Sequence, residues 1–198
     1  MRTLILSAGL LLLLPACTGD TGDGGKRRPQ NAPSRDRMIG FLDMVGRVPE
    51  AWQNETAAST MRLVQMRVPS EGPEAEGPEA DAQFVVFYFG PGQGGAPDAN
   101  ISRWRSQFST ADGGPVDPQV ESFEVSGMPV TLVALTGDYA RGVGVGPTGE
   151  FRSEQTLIAA IVGTPRGNLF VQLHGPVETV SVQRDAYLRF IRSIQSSD

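Results

Sequence analysis

Apolar and polar residues divide the chain into three stretches of different character. Leu4 to Leu14 is apolar, interrupted only by Ser7 and the small Ala8 and Gly9. From Thr18 to Pro33 the chain is polar and rich in Gly, Pro and charge, with Lys26-Arg27-Arg28 in its middle. Such a composition cannot bury a core and predicts a solvated, flexible tether. From about Met38 onward, short apolar runs alternate with Pro/Gly-rich breaks, the pattern of a strand-rich globular domain.

Within that domain the periodicity names the elements. Val45 to Val48 leads, extended, into Pro49-Glu50-Ala51-Trp52. Met61 to Val68 predicts a strand ending at Pro69, with Met61, Leu63 and Gln65 on one face. Glu71 to Ala80 is a direct repeat of Glu-Gly-Pro-Glu-Ala, an exposed loop. Ala82 to Phe89 is β-branched and aromatic and predicts a strand covered on both faces. Gly90 to Gly95 breaks it, and Asp98 is the expected N-cap of a helix. In that helix Ile101, Trp104 and Phe108 fall on one stripe, with Arg103 and Gln107 opposite. After a Pro/Gly loop from Ala111 to Pro118, Phe123 and Val125 pair through Ser126-Gly127 with Val130 to Leu135. Tyr139 to Phe151 is glycine-rich and reads as an irregular excursion. Thr156 to Val162 and Leu169 to His174 form a further hairpin. A closing helix from about Thr179 to Ile194 turns Tyr187, Phe190, Ile191 and Ile194 inward and Arg184, Arg189 and Arg192 outward. Strands joined by short turns pair antiparallel, so the expectation is an α+β fold, an antiparallel sheet flanked by helices.

The first stretch sets the compartment. Met1-Arg2, a short apolar core and a small residue before a break form a secretory signal. The run is too short for a membrane span, which needs about 20 residues. Leu14-Pro15-Ala16-Cys17 resembles the box that precedes the lipidated cysteine of bacterial lipoproteins, and Cys17 is the only cysteine in the chain. Ordinary secretory cleavage is the rival, but it favours a small residue where Leu14 stands. The expected organisation is a signal over residues 1–16, a tether over 17–39 and a globular domain over 40–198. Lipid on Cys17 would hold the domain on the outer side of a membrane in the cell envelope, and Thr18 favours the outer membrane.

Charge and composition remove several classes of function. The net charge is −5, so the basic footprint of a nucleic-acid binder is missing. The basic residues are 16 Arg and one Lys, a bias attributed to genome composition. One histidine and one cysteine cannot furnish a His/Cys metal site. The carboxylates Glu71, Glu74, Glu76, Glu79 and Asp81 lack the fixed spacing of a calcium loop and read as solvated charge.

Val48-Pro49-Glu50-Ala51-Trp52, the Met61 to Pro69 strand, Phe87-Tyr88-Phe89-Gly90-Pro91-Gly92-Gln93-Gly94-Gly95, Asn100-Ile101-Ser102-Arg103-Trp104 and Gly175-Pro176 together resemble the PsbP-like family. Within it they are similar to bacterial lipoproteins that carry a glycine-rich loop after an aromatic strand. The resemblance covers roughly residues 40–196. It implies an α/β/α sandwich built on an antiparallel sheet and brings no catalytic residues with it. The same fold occurs in nuclear-import factors, so fold leaves function open.

Two motifs carry tempting chemistry. Gly90-x-Gly92-x-x-Gly95 matches the dinucleotide fingerprint and lies between a strand and a helix. Pro91 removes an amide donor, Ala96-Pro97 separates the loop from the helix, and the elements that follow are hairpins rather than a βαβ unit. His174 is the one histidine available to a Ser/His/Asp triad, yet no Gly-x-Ser-x-Gly elbow accompanies it. Trp52 and Trp104 read as core anchors. The expectation is a non-enzymatic binding or accessory module without a cofactor, bound to a membrane through Cys17 and to an envelope protein. One alternative is a small-ligand or ion-binding protein using the cleft beside Gly90, Gly92, Gly94 and Gly95. A hydrolase is the other.

Overall fold

The computed structural model describes residues 35–71, 77–140 and 151–197. Two antiparallel sheets and two helices make up this part of the chain. The small sheet joins β1 (Asp36–Phe41), β2 (Met44–Pro49) and β11 (Gln195–Ser196). The large sheet runs β3 (Gln53–Asn54), β4 (Arg62–Val68), β5 (Ala82–Tyr88), β10 (Gly167–Pro176), β9 (Phe151–Thr164), β8 (Met128–Ala140) and β6 (Phe108–Ser109), with β7 (Gln119–Val125) also on β8. Helix α1 spans Pro97–Arg105 and α2 spans Val177–Arg192. The α+β class, an antiparallel sheet flanked by helices, is therefore the architecture of the domain.

The centre of the large sheet joins distant segments. β5 lies against β10, with Val86 opposite Val171, and β10 in turn pairs with β9. Side chains on alternate positions of these strands feed two separate cores. On one face Phe84, Val86, Val171, Leu173, Ile158 and Ala160 meet α2 through Val180, Tyr187, Phe190 and Ile191. The small sheet covers the same side, contributing Phe41, Met44 and Val48. On the other face Val133, Leu135, Leu157, Ala159, Ile161 and Phe170 meet Trp104 of α1 and Phe108. Helix α1 has nine residues and α2 has sixteen, so the first face is covered more fully than the second.

The structure revises several expectations. The segment assigned to the tether as far as residue 39 is already strand from Asp36, because β1 pairs with β2 from Asp36–Pro49 through to Phe41–Met44. On β4 the core face is Val64, Met66 and Val68, whereas Met61 is exposed and Gln65 turns away from that core. Ala96 is the N-cap of α1, Pro97 opens the helix, and Asp98 sits within the first turn, where its charge favours the helix dipole. Tyr139 and Ala140 end a regular strand and Phe151 begins one, and the rest of that expected excursion, 141–150, lies outside the described residues. Cys17, the signal and the rest of the tether up to residue 34 also lie outside them. Among the described residues no helix is long and apolar enough to cross a membrane.

Candidate functional site

Helix α1 covers only part of its face of the sheet, and the remainder is an open groove of about 740 Å³. Its floor is built from one parity of three neighbouring strands: Gln83, Val85 and Phe87 of β5, Phe170, Gln172 and His174 of β10, and Gln155 and Leu157 of β9. Trp104 and Arg103 of α1 form one wall, Tyr139 of β8 another, and Arg62 and Arg67 rise from β4. The expectation that Ala82 to Phe89 is covered on both faces holds for Val85 and fails for Gln83 and Phe87, which are half-buried at the groove.

Two of the groove's arginines are aimed by breaks in strand register. On β4 the even positions Val64, Met66 and Val68 face α2, and Arg62 would follow them in a regular strand. An extra residue between Arg62 and Val64 shifts the register, so Arg62 stands opposite Phe87 on the groove face. Its guanidinium lies 5.2 Å above the Phe87 ring. On β9 the odd positions Gln155, Leu157 and Ala159 face the groove side, and Arg152 would point away. Here Gly137 pairs with Gln155 but Tyr139 pairs with Arg152, so β9 carries one residue more than β8. Glu154 takes up the irregularity with φ 54°, and Arg152 joins the groove lining. Bulges of this kind re-aim side chains at functional surfaces.

Polar contacts hold the β4 side in place. Arg62 Nη1 donates to Gln65 Oε1 at 2.8 Å and to Gln83 Oε1 at 3.2 Å. Gln65 Nε2 donates to Glu55 Oε2 at 3.0 Å. Arg67 and Asp81 form an ion pair at 3.1 Å, and the second Asp81 oxygen accepts from the Ser70 amide at 2.9 Å. Across the groove Arg103 Nη2 donates to Asn100 Oδ1 at 2.6 Å. The groove thus carries four arginines and two carboxylates around a floor of mixed character, where Gln83, Gln155, Gln172 and His174 stand among Val85, Phe87, Leu157 and Phe170, in a chain whose net charge is −5.

The residues singled out in the sequence fall elsewhere or act differently. Gly90, Gly92, Gly94 and Gly95 do not line the groove. Gly94 has φ +89°, and a Cβ built on it would stand 2.5 Å from Phe170 Cε2. Asn100, buried at the start of α1, donates to the Gly94 carbonyl at 2.8 Å. The loop therefore shapes the chain between β5 and α1 and lays it on the Phe170 ring. His174 does line the groove, with its ring 4.3 Å from that of Tyr139 and 6.2 Å from that of Phe108. The described lining residues include no Ser, Thr, Cys or Lys to act as a nucleophile beside it. Of the acidic residues, Asp81 is engaged with Arg67, Glu71 accepts from Gln183, Glu79 is exposed, and Glu74 and Glu76 lie outside the described residues. Among the described residues no group of three His, Cys, Asp or Glu gathers to hold a metal. Trp52 is a core residue, as expected, while Trp104 is both core and groove wall.

No family model matches the chain, and no curated protein matches it. Solved structures do. The Ran-binding protein Mog1p of Saccharomyces cerevisiae superposes with a TM-score of 0.51 at 9% identity, covering 83% of this chain and 97% of its own. The likeness is one of fold. The cyanobacterial PsbP of Synechocystis gives 0.49 at 12% identity, over 84% of this chain and 95% of its own. LpqN of Mycobacterium tuberculosis, described as involved in cell envelope biogenesis, gives 0.44 at 13% identity over 84% and 86%. At these identities the likeness extends to architecture alone.

Proposed function

We propose that this chain is a non-enzymatic binding module, tethered outside the cytoplasm through lipid on Cys17, whose recognition surface is the groove on the α1 face of the sheet. The observation that carries the reading is the uncovered floor beside α1. A sheet that covers one face with a long helix and a second sheet and leaves part of the other open, lined by both apolar and polar side chains, has the form of a binding site. Its lining offers hydrogen-bond donors and apolar area, and the described lining residues include no Ser, Thr, Cys or Lys to form a hydrolytic pair with His174, which favours binding over hydrolysis of that kind. The anchor rests on the Leu14-Pro15-Ala16-Cys17 sequence.

Two measurements test the reading. A clickable fatty acid should label the wild type and leave Cys17→Ser unlabelled; equal label in both overturns the anchor. For the groove, native mass spectrometry compares wild type with Gln172→Trp, which fills the floor, and Val182→Trp, which alters the exposed side of α2. A bound mass kept in Val182→Trp and lost in Gln172→Trp supports the groove. A bound mass unaffected by Gln172→Trp, or no bound mass in any form, overturns it.

A further inference from the structure

Strand β7 is regular and has one open edge. It pairs with β8 through seven consecutive residues, from Gln119 opposite Ala134 to Val125 opposite Met128, with no register shift. Its other side pairs with no described strand, and Gln119 to Ser122 and Glu124 are exposed. Proteins blunt such edges by keeping them short, by bulges, or with Pro or Lys. The edge strands β3 and β6 follow that rule with two residues each. β7 is long and carries no bulge, Pro or Lys.

The hairpin turn fixes which backbone groups the edge presents. Ser126 and Gly127 have φ of 50° and 75°, a two-residue type I′ turn, so Val125 and Met128 close it as a hydrogen-bonded pair. Hydrogen-bonded and non-hydrogen-bonded pairs alternate along an antiparallel ladder. Gln119, Glu121, Phe123 and Val125 therefore bond to β8, while Val120, Ser122 and Glu124 turn their N–H and C=O groups outward. The run is bounded at both ends. Pro118 has no N–H to offer at the next outward position, and at the other end the chain leaves the strand at Ser126.

The outward groups are spaced symmetrically about Ser122, and we infer that the β7 edge is a homodimer interface: a second copy of this chain adds its own β7 antiparallel, with Ser122 opposite Ser122 on a two-fold axis. Such a contact is self-complementary and closes the assembly at two copies. In this register Val120 faces Glu124 of the second copy, and Glu121 faces Phe123. All six outward groups find partners, and no carboxylate stands directly opposite another. Sliding one copy by two residues sets Glu121 against Glu121 and Glu124 against Pro118. Sliding it the other way leaves Val120 facing the turn at Ser126. No residue of β7 lines the groove, so the interface stands or falls apart from the binding reading.

Co-capture of two differently tagged full chains, expressed together, tests the pairing. Wild type should capture wild type. Ser122→Lys and Ser122→Asp each set like charges across the axis and should cut self-capture by about tenfold or more, the scale of like charges in direct opposition. Ser122 is exposed, so neither change enters the core. Ser122→Lys expressed with Ser122→Asp sets opposite charges across the axis and should restore capture, which also shows that both variants fold. Val182→Lys and Val182→Asp, on the exposed side of α2, should leave self-capture unchanged. The inference is overturned by wild type that does not capture itself, by undiminished capture in the like-charged Ser122 pairs, by no recovery in the oppositely charged pair, or by an equal loss in the Val182 variants.

Discussion

The indole Nε1 of Trp52 donates to Gln183 Oε1 at 3.0 Å, joining residues 131 positions apart in the interior of the α2 side. Trp52 follows β2 and packs its ring 4.9 Å from Phe84, while Gln183 also donates to Glu71 at 3.2 Å. One buried hydrogen bond thus ties the start of the domain to its last helix. Trp52→Phe leaves the Gln183 oxygen unpaired and a void beside Phe84. It should cost about 2–3 kcal/mol in urea unfolding, the sum of a lost buried partner and a small cavity. A cost under about 0.5 kcal/mol would show that this junction does not hold the domain together.

The glycine loop gives a graded test of a structural role. Gly94 needs both its left-handed backbone and the missing Cβ, whereas Gly92, with φ +67°, meets nothing within 4 Å. Gly92→Ala should cost about 1–2 kcal/mol, from backbone strain alone. Gly94→Ala should cost about 2–4 kcal/mol, because the new methyl also collides with Phe170. Thermal unfolding of both variants reads the order, and equal losses would contradict the packing of the loop on Phe170.

Glu154 occupies the left-handed region at the bulge that turns Arg152. Glu154→Gly removes the strain and should leave stability unchanged or raise it by up to about 1 kcal/mol. Glu154→Val, branched at Cβ, should lower it by about 1–2 kcal/mol. The reverse order would mean that β9 is regular there.

Burial raises the Tyr187 phenol well above its usual range; its hydroxyl donates to the Val171 carbonyl at 2.9 Å. The folded chain therefore keeps a proton that the unfolded chain releases near pH 10. The bound-proton difference makes stability fall as pH rises above about 10, with the full contribution present below it. Denaturation curves from pH 8 to 11 should show this fall, and Tyr187→Phe should flatten it while losing about 1 kcal/mol at neutral pH. An unchanged slope in the variant would assign the alkaline sensitivity to other groups.

Much of the architecture is legible in local pattern. The aromatic run at β5, the hairpin turn at Ser126-Gly127 and the Tyr187, Phe190, Ile191 stripe of α2 are set by residues close in sequence, although the helix stops at Arg192 and leaves the buried Ile194 just beyond it. β1 escapes the same reading because Asp36-Arg37-Met38-Ile39-Gly40 gains its strand character only by pairing with β2. The two-residue strands β3, β6 and β11 are too short to carry a period. The groove is harder still. It requires β5 to lie beside β10, and two of its four arginines, Arg62 and Arg152, change face by the insertion of a single residue, which breaks the alternation that would place them. A usable signal was present in Gln83, Gln172 and His174, polar positions recurring on otherwise apolar strands and sharing one face.

In-cell photo-crosslinking is the most direct test of the groove as the recognition surface. Benzoylphenylalanine placed at Gln172 on the groove floor is compared with the same residue at Val182 on the exposed side of α2. The groove predicts a discrete adduct from position 172 and none from position 182. An adduct from position 182 with none from 172 would contradict it.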